Sequence, residues 1–162
     1  MRMTQIVLIF LGRICISLIF ILSAIHKIFD WQGTERGLIN ILCDWQGYAK
    51  GGMEEFFMSI LPWVPAFLVF SVVVELLGGL MLLLGIKGRL GAFLLLFFTA
   101  ITTVIFHQFW YLEGLKREME FVLFLKNTAI MGGLLFVLAY GTKLSKPHKK
   151  TEIKGPDLRD VP

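Results

Sequence analysis

Three ionisable residues, Arg13, Glu75 and Lys126, fall inside long apolar runs. His26, His107, Trp110 and Asn127 gather at the ends of those runs. A charge at the centre of a bilayer costs about 2.5 to 17 kcal/mol depending on how it is measured, so it faces a partner or water. Two imidazoles, an ammonium, an amide and an indole around one mouth suit an anionic or carbonyl-bearing ligand. A quinone head group fits that chemistry, because its two carbonyls accept hydrogen bonds from His107, His26, Lys126 or Asn127. Phe106, Phe109 and Trp110 would flank the ring. The plainer reading is snorkelling lysines and interfacial aromatics, which accounts for Lys27 and Trp110 but poorly for Lys126 followed by Asn127. No cysteine or carboxylate stands at ligand spacing beside either histidine, so no metal site is expected. Nothing implies a covalently held cofactor, and a haem held by both histidines is disfavoured at that shallow depth.

The elements that must position these groups are helices in a membrane. Of 162 residues, 56% are apolar and 17% charged, against about 45–50% and about 25% in soluble domains. Runs over about 5–25, 63–86, 90–110 and 121–140 each have the roughly 20 residues needed to cross the hydrocarbon. The first reads as a retained helix, since Arg13 interrupts it and it is long for a signal core. Lys87, Gly88 and Arg89 alone separate the second and third runs, which predicts a tight antiparallel hairpin. The long first connection holds two amphipathic stretches, 34–45 and 54–61, anchored by Trp31, Trp45 and Trp63. The fold class is therefore all-α, an integral membrane four-helix bundle, with 1–142 as the bundle and 143–162 as a basic tail. Arg2, Lys87, Arg89 and six basic tail residues lie on one side, against Lys27, Arg36, Lys50, Lys116 and Arg117 on the other. Nine against five places both termini in the cytoplasm. The basic residues sit at helix ends and form no patch with interleaved aromatics, which argues against nucleic acid.

Counting rises of 1.5 Å per residue from the run ends puts Arg13 ~12 Å and Glu75 ~16 Å above the cytoplasmic side. That near-coincidence predicts an Arg13–Glu75 ion pair holding the first two helices in register. Gly78 and Gly79 beside Glu75, and Ser17 beside Arg13, would let the backbones approach. Thr99, Thr103 and His107 form a polar line on the third helix, and Lys126, Ala129 and Gly133 a polar and small one on the fourth.

Together these residues resemble the DoxX family. The opening helix is similar in Arg13 and in the stretch Leu18-Ile19-Phe20-Ile21-Leu22-Ser23-Ala24-Ile25-His26-Lys27-Ile28-Phe29-Asp30. The second helix and hairpin are similar in Glu75-Leu76-Leu77-Gly78-Gly79-Leu80 and Gly85-Ile86-Lys87-Gly88-Arg89. The last two helices are similar in Phe106-His107-Gln108-Phe109-Trp110 and in Phe124-Leu125-Lys126-Asn127-Thr128-Ala129-Ile130-Met131-Gly132-Gly133. The resemblance implies a four-helix protein of a bacterial or archaeal cytoplasmic membrane, with Arg13, Glu75, His107, Lys126 and Asn127 as its characteristic polar positions. It also implies redox work. One branch is a subunit of an archaeal thiosulfate:quinone oxidoreductase, and another associates with superoxide dismutase and a sulfur transferase. The leading expectation is a small membrane subunit of a quinone-linked oxidoreductase, in contact with the bilayer and a redox protein partner. A non-enzymatic assembly protein is the second expectation and a small-solute carrier subunit the third. The glycine pairs would pack helices within one chain or between two copies.

Overall fold

The computed structural model describes residues 3–48 and 53–141; the basic tail expected over 143–162 lies outside them. Six helices follow in order: α1 (Met3–Phe29), α2 (Trp31–Tyr48), α3 (Met53–Ile60), α4 (Val64–Leu84), α5 (Gly88–Phe106) and α6 (Gly114–Tyr140). Short 3₁₀ turns at Leu61–Trp63 and Phe109–Tyr111 precede α4 and α6. The four helical segments expected to cross are long and apolar enough to do so.

Each boundary has a local cause. Asp30 ends α1 and starts α2, its carboxylate accepting the Gly33 N–H at 3.2 Å as an N-cap. This cap starts α2 three residues before the expected Thr34. Pro62 in the 3₁₀ turn and Pro65 in the first turn of α4 lose no intrahelical bond there. Gly85 closes α4 with φ +72°, while the Gly85 and Ile86 amides bond back to Leu82 and Met81. Those two bonds are a Schellman ending. α6 begins seven residues before the expected 121, because Leu115 to Glu120 are strong helix formers although too polar for hydrocarbon.

The long helices pack in the order α1, α4, α5, α6, each antiparallel to the next, and α1 meets α6 only briefly. Phe20, Leu82, Ala92, Leu95 and Leu134 form the buried core. Without a hydrophobic drive between helices in lipid, close backbone approach must supply the attraction. The glycines provide it: a Cβ at Gly78 would fall 2.6 Å from Leu95, and one at Gly91 would fall 3.0 Å from the Gly78 carbonyl. Gly133 lets Ile16 of α1 come alongside α6. The core therefore seals the half of the bundle nearest the α4–α5 hairpin.

Candidate functional site

Arg13 does not pair with Glu75. Its Nε donates to the Leu82 carbonyl at 2.9 Å and its Nη2 to the Leu83 carbonyl. The register explains why. A Cβ on Gly79 would lie 3.5 Å from the Ser17 carbonyl, so Ser17 and Gly79 share a level. Glu75, one turn further along the antiparallel α4, then stands near Ile21, about eight residues or ~12 Å from Arg13. The start of α1 overhangs the hairpin, so depth counted from that start was misleading. Arg13 instead places a cation at the negative end of α4 and adds donors to its last carbonyls, Leu82 already accepting the Gly85 amide. Arg89 does the same for α6, donating from Nη2 to the Ala139 carbonyl at 3.1 Å.

Glu75 has a different partner. Lys27 Nζ lies 2.6 Å from both of its carboxylate oxygens, and Ser23 Oγ donates to Oε1 at 3.2 Å. Lys27 also contacts Ser23 Oγ at 3.1 Å and sits 5.9 Å from the centre of the Phe98 ring. The snorkelling expected of Lys27 is thus replaced by an inward turn, with its side chain 19% exposed and that of Glu75 5%. The side chain of a helical residue leans toward its own N-terminus, which for Lys27 means down into the bundle.

At the opposite end from the hairpin, His107 ends α5 and is held on both ring nitrogens. Nδ1 lies 2.7 Å from Glu120 Oε2, and Asn127 Nδ2 lies 3.1 Å from Nε2. With the amide donating to Nε2, the imidazole carries its proton on Nδ1 and donates it to Glu120. Glu120 and Asn127 stand two turns apart on one face of α6, which is how both reach one ring. Phe109, in the turn just beyond, packs edge-on against Phe121 and Phe124, with ring centres 5.2 Å apart in each pair. Beside them runs a groove of about 320 Å³ lined by Phe109, Gly114, Arg117, Glu118 and Phe121.

α2 covers the neighbouring surface through aromatic contacts. Trp45 Nε1 donates to the Ile105 carbonyl at 3.0 Å where α5 ends, a group that also accepts Gln108 Nε2 at 3.1 Å. Trp110 packs 6.3 Å from Trp45 and 5.1 Å from Phe109. Tyr48 stacks on Tyr111 at 4.3 Å.

Of the residues expected at the mouth, the structure brings together His107 and Asn127, with Trp110 nearby on the Phe109 side. Lys126 is exposed on the flank of α6 and has no hydrogen-bond partner among the described residues. His26 is exposed at the end of α1, and no side-chain hydrogen bond joins it to His107. Glu120 was missed. Its seven-residue spacing from Asn127 was the available signal, but the depth assigned to the helix start excluded it. Lys27 and Ser23 were missed as partners of Glu75, although their four-residue spacing puts them on one face.

The comparisons with known proteins agree with this architecture. The family model described as DoxX matches residues 8–108, from α1 through α5. The chain belongs to the DoxX family. It is also similar to the inner membrane protein YphA of Escherichia coli (strain K12), with 27% identity over 135 residues, 83% of this chain and 84% of that protein. No solved structure matches it significantly. The matched DoxX region holds Arg13, Lys27, Glu75 and His107, while Glu120 and Asn127 lie beyond it on α6. This DoxX protein is thus a multi-pass membrane protein whose helices contact the bilayer.

Proposed function

We propose that this protein is a small membrane subunit of a quinone-linked redox system, with both termini cytoplasmic, that binds a quinone-like head group near the outer leaflet. The observation carrying this reading is the doubly held imidazole. Glu120 fixes the tautomer and orientation of His107, and Asn127 meets the other nitrogen, so three polar groups form one rigid unit beneath a layer of aromatic rings. The second N–H of the Asn127 amide is a donor for a ring carbonyl. Phe109, Phe121 and Trp110 offer faces on which a flat ring stacks. The Lys126 ammonium, before Asn127 on α6 and without a partner among the described residues, supplies a second donor at the rim. The electrons belong to the redox protein that docks with this subunit, as the redox linkage of DoxX relatives suggests.

The test is a titration of the purified protein in detergent with a short-chain quinone, following tryptophan fluorescence, since Trp45 and Trp110 lie beside the cluster. Saturable quenching is expected, weakened about tenfold or more by Asn127→Ala and by Lys126→Ala. This magnitude corresponds to losing one hydrogen bond, about 1.5 kcal/mol, from a desolvated site. Quenching that does not saturate, or is unchanged in both variants, would remove the proposal.

A further inference from the structure

Deeper in the bundle, two hydroxyl groups have no hydrogen-bond partner among the described residues. Ser71 Oγ and Thr99 Oγ1 are both buried and unbonded, and Thr99 as a whole is 5% exposed. A buried hydroxyl left unbonded costs about 1–3 kcal/mol. Threonine and serine in membrane helices usually avoid that cost by bonding to the carbonyl four residues back. Thr103 does so to Thr99 at 2.6 Å, and Thr102 to Phe98 at 2.9 Å.

Both unbonded groups flank the same carboxylate. Ser71 lies one turn before Glu75 on the same face of α4. Leu95 fits against Gly78, and Thr99 follows Leu95 by one turn along α5, which brings it opposite the turn of α4 that holds Glu75. The Lys27–Glu75 pair thus has a hydroxyl along one side and another across from it. The Phe98 ring stands 5.9 Å from the ammonium. The α1–α6 contact at Gly133 and Ile16 lies at the sealed hairpin half, away from Lys27, whose side chain stays 19% exposed and so leaves the pair a route to the surface.

We infer that Lys27, Glu75, Ser71 and Thr99 form a second ligand site, inside the membrane, for a lipid-soluble phenol-class head group. A ring hydroxyl carries both halves of the chemistry: its O–H donates to the Glu75 carboxylate, and its oxygen accepts from the Ser71 or Thr99 hydroxyl. The Phe98 face accommodates the ring. A ketone or an ether lacks the donor that Glu75 requires, so the site selects for a free O–H. This site is separate from the His107 cluster and does not depend on it.

The test uses 4-decylphenol and its methyl ether, 4-decylanisole, with the full chain in nanodiscs, reading thermal stability and equilibrium binding. Saturable binding of the phenol with a rise in Tm is expected, along with at least tenfold weaker binding of the ether. Thr99→Val and Ser71→Ala keep the ion pair. Each should raise the Tm of the ligand-free protein by removing an unbonded hydroxyl, and weaken phenol binding about tenfold. Asn127→Ala should leave phenol binding unchanged, so failure here and failure at the outer site can be told apart. Equal binding of phenol and ether, no saturable binding, or a fall in ligand-free Tm on Thr99→Val would overturn the inference. The last result would mean that the hydroxyl is already satisfied within the protein.

Discussion

Arginine and lysine do different work in this membrane interior. Arg13 spreads two donors over adjacent carbonyls, a task suited to a planar fork, whereas Lys27 brings a compact ammonium between two carboxylate oxygens. Breaking a buried pair by removing one partner costs about 3–5 kcal/mol, while removing both is far milder. A double-mutant cycle in detergent should therefore give a large coupling energy for Lys27→Met with Glu75→Leu. The same cycle for Arg13→Met with Glu75→Leu should give almost none, because the hydrogen bonds of the two side chains go to different groups. Thermal unfolding measures both, and a substantial Arg13–Glu75 coupling would contradict the register. The residue types of Arg13 and Glu75 marked them as interior from the start, whereas Lys27 read as a snorkelling lysine at a helix end. Their pairing was hidden because it depends on how far α1 slides along α4, and that offset leaves no trace in either helix's own pattern.

Helix contacts follow glycines, but only some glycines. Gly78 and Gly132 look equivalent as neighbours in Gly-Gly pairs, yet a Cβ at Gly78 would strike Leu95 at 2.6 Å, and one at Gly132 would meet nothing within 4 Å. Gly78→Ala should lower the Tm by several degrees, as forced overpacking typically costs about 1–3 kcal/mol. Gly132→Ala should be neutral, or slightly stabilising through helix propensity. The four long helices, the tight hairpin and the two helices of the first connection were all readable from run length, breakers and amphipathic spacing. The helix ends were less so. α6 starts early because helix propensity continues past the point where hydropathy stops, and α2 starts early because Asp30 serves as both stop and cap. The His107 site was half legible: His107 and Asn127 stand out by type. Glu120 hides in a charged turn that reads as solvated surface until the 3₁₀ turn at Phe109–Tyr111 folds it back over α5.

As a whole, the molecule is asymmetric between its two ends. The hairpin half is closed by apolar packing around Leu82, Leu95 and Leu134, while the other half carries the Lys27–Glu75 pair, the unbonded hydroxyls and the His107 cluster. α6 has Leu134 as its one buried residue and presents most of its length outward. In a background with Cys15→Ser and Cys43→Ser, the pair Ile16→Cys and Gly133→Cys should be joined by a short thiol cross-linker within a monomer. Gly132→Cys alone should react only with external reagents or with a second copy. Gel mobility separates these outcomes, and failure of the first pair to link would show that α1 and α6 do not close the hairpin half. The guanidinium of Arg13 has one more consequence, for biogenesis. The last carbonyls of α4 take their donors from a helix made some seventy residues earlier, so the opening segment must stay beside the emerging chain until the hairpin arrives. Loss of that segment would strip the Arg13 donors from the end of α4, so the closing of the hairpin depends on the chain's opening helix.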